Sequence, residues 1–315
     1  MFLIGTDGKF ETLNKNVIYV KFMYDICCIG HITHDRVITP VSDRHMAGGT
    51  AFYFSNALAR LNVSYCLLTA VADGEIEAIE ELRALDVDVK TRETLNTLYF
   101  ENIYPENQDH RTQRVLQQAE PFAVEGLNEI EAEYFHLGPL LASDIPLELI
   151  VQLSERSTVS LDVQGYLRKV ENYQVYPVEW MQKQDALPFV DILKANDTEV
   201  EVLTGLADMY EGARLLASWG VKEVVVTLGS RGSIIYTDSV FYEIPVFKPE
   251  TIKDATGCGD TYMAGYLYKR SQGASVKEAG YFASAMAGLK IASAGPFNGV
   301  EDDVINFMKE VLGRR

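Results

Sequence analysis

The chain has 315 residues, with 28 Lys+Arg against 45 Asp+Glu, a net charge of −17. That balance excludes a surface that neutralises duplex nucleic acid through clustered cations, and 47% hydrophobic residues exclude disorder over most of the length. A small polyanionic ligand stays open, because backbone N–H groups hold phosphate without a cationic side chain.

Residues 1–22 lack the cationic start, apolar centre and small-residue cleavage site of a secretion signal. Met23 stands directly before the first convincing strand, so residues 1–22 are expected to be an N-terminal extension outside a single domain over 23–315. Apolar, β-rich runs then recur at 25–32, 64–71, 133–137, 158–163, 190–195 and 223–228. Several are almost continuously apolar, as parallel strands buried on both faces require. Amphipathic stretches at 51–61, 75–85, 145–155, 199–205 and 209–219 lie between them. The alternation predicts an α/β doubly wound sheet flanked by helices. After 228 the order changes to a hairpin, 233–237 with 240–245, and helices at 260–271, 276–294 and 301–312.

Two stretches break the alternation. Residues 35–46 are polar and short of helix signals, and 90–121 read as short strands, among them 97–104 and 112–116. Both are expected to leave the main sheet and form a small β-sheet lid. The cysteines Cys27, Cys28, Cys66 and Cys258 show no zinc spacing. Cys27 and Cys28 point to opposite faces of one strand, so a reducing cytoplasm is expected. No apolar run approaches a membrane span.

The most informative segment is Asp254-Ala-Thr-Gly-Cys-Gly-Asp260, leading into a helix with apolar Met263, Ala264 and Leu267. Gly257 and Gly259 allow a tight turn whose N–H groups converge on one oxyanion, and the helix N-terminus adds its positive end. Asp260 beside such a pocket suits a base that takes a proton from a substrate hydroxyl; an N-cap after a glycine turn is the plain alternative. Asn196 and Glu199 likewise suit either magnesium or a capping box, and Thr227, Gly229 and Gly232 either a nucleotide turn or a simple hairpin connection. Asp35 can accept bonds from a polyol or serve an ordinary turn.

Together, in this order, these segments resemble the ribokinase-like (PfkB) carbohydrate kinase family. The Asp-x-Thr-Gly-x-Gly-Asp segment looks like its second signature. Gly30-His-Ile-Thr-His-Asp35, Gly48-Gly49 before a helix, Asn196-x-x-Glu199 and Thr227-Leu-Gly229-Ser-Arg-Gly232 resemble its other motifs, over about 270 residues from Asp25 to Gly295. The resemblance implies Asp260 as general base, with Gly257, Cys258 and Gly259 as the anion hole. It implies substrate binding at Asp35, Gly48 and Gly49, nucleotide binding at Thr227, Gly229 and Gly232, and magnesium at Asn196 and Glu199. A monovalent cation near Asp254 and a homodimer through the lid follow by the same analogy.

Departures narrow it. Cys258 stands where Ala is usual, at a helix N-terminus that is expected to lower its thiol pKa and make it reactive. Tyr53 replaces a frequent Asn, the nearest asparagine being Asn56. Asp162-Val-Gln164, with Arg168 beyond it, is similar to the inositol-kinase-like branch, or simply closes a strand-to-helix loop. His34 either lines the substrate pocket or is a structural histidine at a strand end. There is no Gly-x-x-x-x-Gly-Lys-Ser/Thr loop, and Tyr262 replaces the third glycine of a dinucleotide fingerprint. The expected activity is transfer from ATP, with Mg²⁺, to a hydroxyl of a small sugar or cyclic polyol. A nucleoside kinase and a non-catalytic sugar or nucleotide sensor are the alternatives. Neither a nucleic acid nor a membrane is expected as partner.

Overall fold

The computed structural model describes residues 23–103, 112–124 and 127–313; the expectation for residues 1–22 lies outside them, as do residues 104–111 within the second lid stretch. In chain order the strands are β1 (Met23–Ile29), β2 (Thr33–Thr39), β3 (Ser42–Gly48), β4 (Tyr65–Val71), β5 (Asp88–Glu93), β6 (Leu98–Ile103), β7 (Thr112–Gln117), β8 (Glu131–Leu137), β9 (Thr158–Asp162), β10 (Arg168–Glu171), β11 (Gln174–Pro177), β12 (Ile192–Asn196), β13 (Glu223–Thr227), β14 (Ser233–Thr237) and β15 (Val240–Ile244). The helices are α1 (Gly49–Leu58), α2 (Glu77–Arg83), α3 (Leu147–Ser154), α4 (Lys183–Ala186), α5 (Asp197–Thr204), α6 (Met209–Ser218), α7 (Cys258–Ser271), α8 (Val276–Ile291) and α9 (Glu301–Gly313). None is long and apolar enough to cross a membrane among the described residues.

Nine strands form the main sheet in the order β15-β14-β13-β12-β9-β8-β1-β4-β5. The seven from β13 to β5 are parallel, and β14 and β15 add an antiparallel hairpin. Helices cover both faces. One core joins Cys28, Ile26 and Leu67 to α1, α7 and α8; the other joins Cys27, Ile29 and Cys66 to α3, α5 and α6. Strand alternation therefore does place Cys27 and Cys28 on opposite sides, and all four cysteines are free thiols. Chain order reverses between β1 and β8, with β4 and β5 on one side of β1 and β8, β9, β12 and β13 on the other. Ligands of open parallel sheets bind at such a switch point, beyond the strand C-termini.

The second sheet has six strands, β10-β11-β7-β6-β2-β3. Two expectations change here. β5 stays in the main sheet, paired in parallel with β4 from Cys66↔Asp88 to Val71↔Glu93, with Val89 packed into the core. The segment after Asp162 is a short 3₁₀ turn, Val163–Leu167, that runs into β10 rather than into a helix. β10 and β11 then complete the small sheet by pairing with β7. This sheet packs on the main body through Leu98, Phe100 and Val115 against Leu140 and Leu141.

Candidate active site

The residues predicted to bind substrate lie where the chain leaves the main sheet after β1 for the β2–β3 pair of the small sheet. β2 and β3 pair with Thr33 opposite Gly48, and the Thr33 hydroxyl donates to Asp35 Oδ1 at 2.6 Å. Gly48 is needed because a Cβ there would lie 2.6 Å from Asp35 Oδ2. Gly49 has φ +85, and a Cβ on it would lie 2.6 Å from the His31 carbonyl oxygen. The predicted substrate residues Asp35, Gly48 and Gly49 are thus in direct contact. His34 points to the opposite face of the strand from Asp35, where its Nε2 pairs with His45 Nδ1 at 2.9 Å.

Thr50, the next residue, links this corner to α7. Its side chain packs against Gly138 just after β8, and its hydroxyl lowers the proton affinity of the Asp260 carboxylate. Asp260 lies in the first turn of α7, which starts at Cys258 with Gly257 in the left-handed N-cap position at φ +74. Before it, Asp254 Oδ1 accepts from Thr256 N–H at 2.9 Å, and Cys258 N–H donates to Ala255 O at 3.2 Å. One of the three N–H groups assigned to the anion hole is thus turned inward to shape the loop.

Behind Gly259 sits a group the motif had not flagged. Lys194 on β12 is buried, and its Nζ lies 3.3 Å from where a Gly259 Cβ would stand. It forms a buried ion pair with Asp162, Nζ to Oδ2 2.9 Å, across neighbouring strand ends. The other Asp162 oxygen accepts from Gln164 N–H at 3.0 Å. Burial would lower the Lys194 pKa, but Asp162 first, and then Glu199 and Asp260, strengthen the hold on its proton and raise it. Burial, followed by the negative charge of Asp162, pushes the Asp260 carboxyl up to about 6; Lys194, the Thr50 hydrogen bond and Arg168 oppose that rise. A carboxylate of that basicity is ionised at pH 7 and matched to proton abstraction. Beneath the cluster His136 is buried, with Nδ1 3.0 Å from Ser160 Oγ and its ring stacked on Phe54; burial lowers its pKa to about 4.

The residues predicted to bind nucleotide and magnesium lie at the ends of β12 and β13, where Asn196 and Thr227 are paired in register. Asn196 and Glu199 form a reciprocal capping box on α5: Glu199 N–H to Asn196 Oδ1 and Asn196 N–H to Glu199 Oε2, both 2.8 Å. Burial raises the Glu199 pKa. After Thr227 the chain makes a 3₁₀ turn, Gly229–Arg231, and Leu228 N–H closes it on Gly232 O at 2.8 Å. A Cβ on Gly232 would lie 2.2 Å from the Ile244 carbonyl oxygen, which fixes glycine there. Arg231 bonds Asp197 at 2.5 Å and holds this turn to the start of α5. The predicted residues thus fall at the ends of β12 and β13, at the start of α7 and at the β2–β3 corner.

One expectation is reversed. Burial pushes the Cys258 thiol up to about 11, with Lys290 only partly offsetting this. A thiol in that range is protonated at pH 7 and a poor nucleophile.

Residues 15–303 match the pattern of pfkB family carbohydrate kinases. The chain belongs to this family. A cytidine kinase of Thermococcus kodakarensis is 30% identical over 273 residues, 81% of this chain and 92% of that protein. A pyrophosphate-dependent kinase of the ribokinase family, solved with a pyrophosphate analogue and myo-inositol, superposes with a TM-score of 0.79 at 28% identity, over 89% of this chain and 99% of that one. Ribokinase of Arabidopsis thaliana, solved with ribose and ATP, shares the fold at TM-score 0.73 and 19% identity, over 91% and 99%. The protein is a ribokinase-like kinase, a phosphotransferase acting on a hydroxyl acceptor.

For this kinase, the sequence reading does not single out Thr50, Lys194 or Lys290, and takes Asp162 only as part of the Asp162-Val-Gln164 segment. Two carried a signal: Lys194 interrupts the apolar strand and Lys290 the apolar helix, where a lysine is almost never buried without a partner. Among the described residues no group of three or more His, Cys, Asp and Glu is placed to hold a metal ion unaided. Two oxygen-bearing side chains at a strand end do suit magnesium that arrives with a phosphate donor and keeps its waters.

Proposed function

We propose that this kinase transfers the γ-phosphoryl group of ATP to a hydroxyl of a small sugar or cyclic polyol. The observation that carries the reading is that the Asp35–Gly48 corner leads within two residues to Thr50, which acts on Asp260, a buried carboxylate of raised basicity at the end of the 254–260 loop. Asp35 and Thr33 would hold acceptor hydroxyls, and Asp260 would take the proton of the attacking one. The N–H groups of Gly257 and Gly259, with the α7 terminus and Lys194 behind them, would stabilise charge on the phosphoryl oxygens. Thr227, Gly229 and Gly232 would border the nucleotide. Asn196 and Glu199 would hold Mg²⁺ through water, and bound Mg²⁺ neutralises charge on the donor phosphates. The small sheet, over the acceptor corner, would exclude water as a competing acceptor.

Two relatives shape the alternatives. The cytidine kinase favours a nucleoside acceptor, and apolar Met46 and Phe100 flank Asp35 in register on either side. The myo-inositol complex favours a cyclic polyol, and its pyrophosphate dependence makes the donor a question of its own. The test is product formation across sugars, inositols and nucleosides, each with ATP and with pyrophosphate. ADP release with a polyol or sugar supports the proposal. Transfer to nucleosides alone, or from pyrophosphate alone, overturns that half of it. We further assign the protein to a reducing cytoplasm on its four free cysteines, and a homodimer to the edge strand β3, whose Asp43–Met46 stretch is exposed.

A further inference from the structure

Family resemblance placed a monovalent cation beside Asp254. The oxygens for it are present, but another group is already on them. Lys290, in the last turn of α8, is fully buried. Its Nζ donates to the Asp254 carbonyl oxygen at 2.8 Å and to Asp254 Oδ2 at 3.2 Å. It also lies 5.7 Å over the ring of Tyr53. That ring in turn fills the space beside Gly257, where a Cβ would come within 2.2 Å of ring carbons. The backbone is tied to the same helix: Lys253 and Asp254 N–H both donate to Ile291 O, at 2.8 and 3.3 Å.

We infer that the Lys290 ammonium is a built-in replacement for an alkali cation, ordering the 254–259 loop and making the kinase indifferent to K⁺ and Na⁺. The inference rests on reading that loop as the donor-phosphate loop. A carbonyl and a carboxylate oxygen aimed at one buried point require a positive charge between them. An ammonium supplies that charge and carries three N–H donors, enough for both oxygens, while the face of Tyr53 receives the remaining field. Burial alone would raise the Asp254 carboxyl, but the bonds from Thr256 and Lys290 outweigh it and hold it below the usual range, so the carboxylate stays ionised. A second cation at these oxygens would face Lys290 at close range and be repelled. A tethered charge is present in every molecule, whereas a free ion must be bound from solution, so occupancy cannot vary with the salt. Tyr53 acquires a role here as well: it transmits the position of the ammonium to Gly257, the residue that starts α7.

The test compares KCl, NaCl and tetramethylammonium chloride at matched ionic strength, with two readouts: thermal melting without ligand, and Mg-ATP binding by calorimetry. The wild type should show the same Tm and the same Kd in all three salts. Lys290→Ser, which removes the charge and leaves space, should melt lower and bind Mg-ATP roughly tenfold more weakly in tetramethylammonium. KCl should restore much of both losses. A wild type stabilised or tightened by KCl overturns the inference, as does a Lys290→Ser protein that matches wild type in every salt. Should Lys290→Ser not fold, Lys290→Gln replaces it, and the wild-type salt comparison stands by itself. Failure of the wild type to bind Mg-ATP would sink the donor-loop reading instead, and the melting comparison would still decide the role of Lys290.

Discussion

Two buried lysines stand on either side of the 254–260 loop, and they do different work. Lys194 sits among carboxylates, paired with Asp162 and close enough to Glu199 and Asp260 for each to shift its proton affinity. Lys290 sits on a backbone carbonyl and a single carboxylate, with an aromatic ring beyond them. In the proposed mechanism the first would set charge where a proton and a phosphoryl group move, and the second would set the shape of the chain that receives the phosphate. The contrast explains why an acidic protein needs no cationic surface to handle phosphate. Two interior cations, a helix terminus and backbone N–H groups stand at one loop, and the remaining acidity can stay on the outside.

Three further experiments separate charge from shape. The largest effect is expected for Asp260→Asn, which keeps the fold of the loop and removes the base: turnover should fall by about 10²–10⁴ while Mg-ATP still binds. Near-wild-type turnover would remove Asp260 from the mechanism. A middle effect is expected for the acid limb of kcat/KM. Protonation of Asp260 abolishes the base, so activity should be full above, and lost below, a limb near the value of about 6 set by its surroundings. Asp162→Asn deletes the largest charge that raises it, and the limb should move to lower pH; a limb that stays or rises would show that Asp162 does not tune the base. The smallest effect is expected at Cys258. With its thiol pushed up to about 11, alkylation at pH 7 should be slow, and should quicken steeply as pH rises. Rapid labelling at pH 7 would show that the helix terminus dominates after all.

The lid shows where the sequence stopped being legible. The strand-rich stretches announced a second sheet, but β5 and β6 follow each other closely in the chain and belong to different sheets. Only the parallel pairing of β5 with β4 decides this, and pairing partners are not a local property. β10 and β11 were invisible for a related reason. They are four-residue strands of mixed polarity, too short for an alternation to register. Asn196 and Glu199 were legible in full, yet as two things at once. The capping box forms, and the same spacing still leaves oxygen-bearing groups at the strand end.

By itself the sequence determined the alternation of strands and helices, the two glycine turns, and the identity of the residues at the sheet edge. Apolar periodicity, turn chemistry and motif spacing are encoded over windows of a few to twenty residues. The tertiary structure alone decided the electrostatics. Lys194 is 32 residues from Asp162 and Lys290 is 36 from Asp254, and neither pair has any local signature. What a buried charge does depends on which other charges the fold brings within a few ångströms and how much water it removes. For the same reason Cys258, at a helix terminus expected to lower its thiol pKa, has that pKa raised by burial.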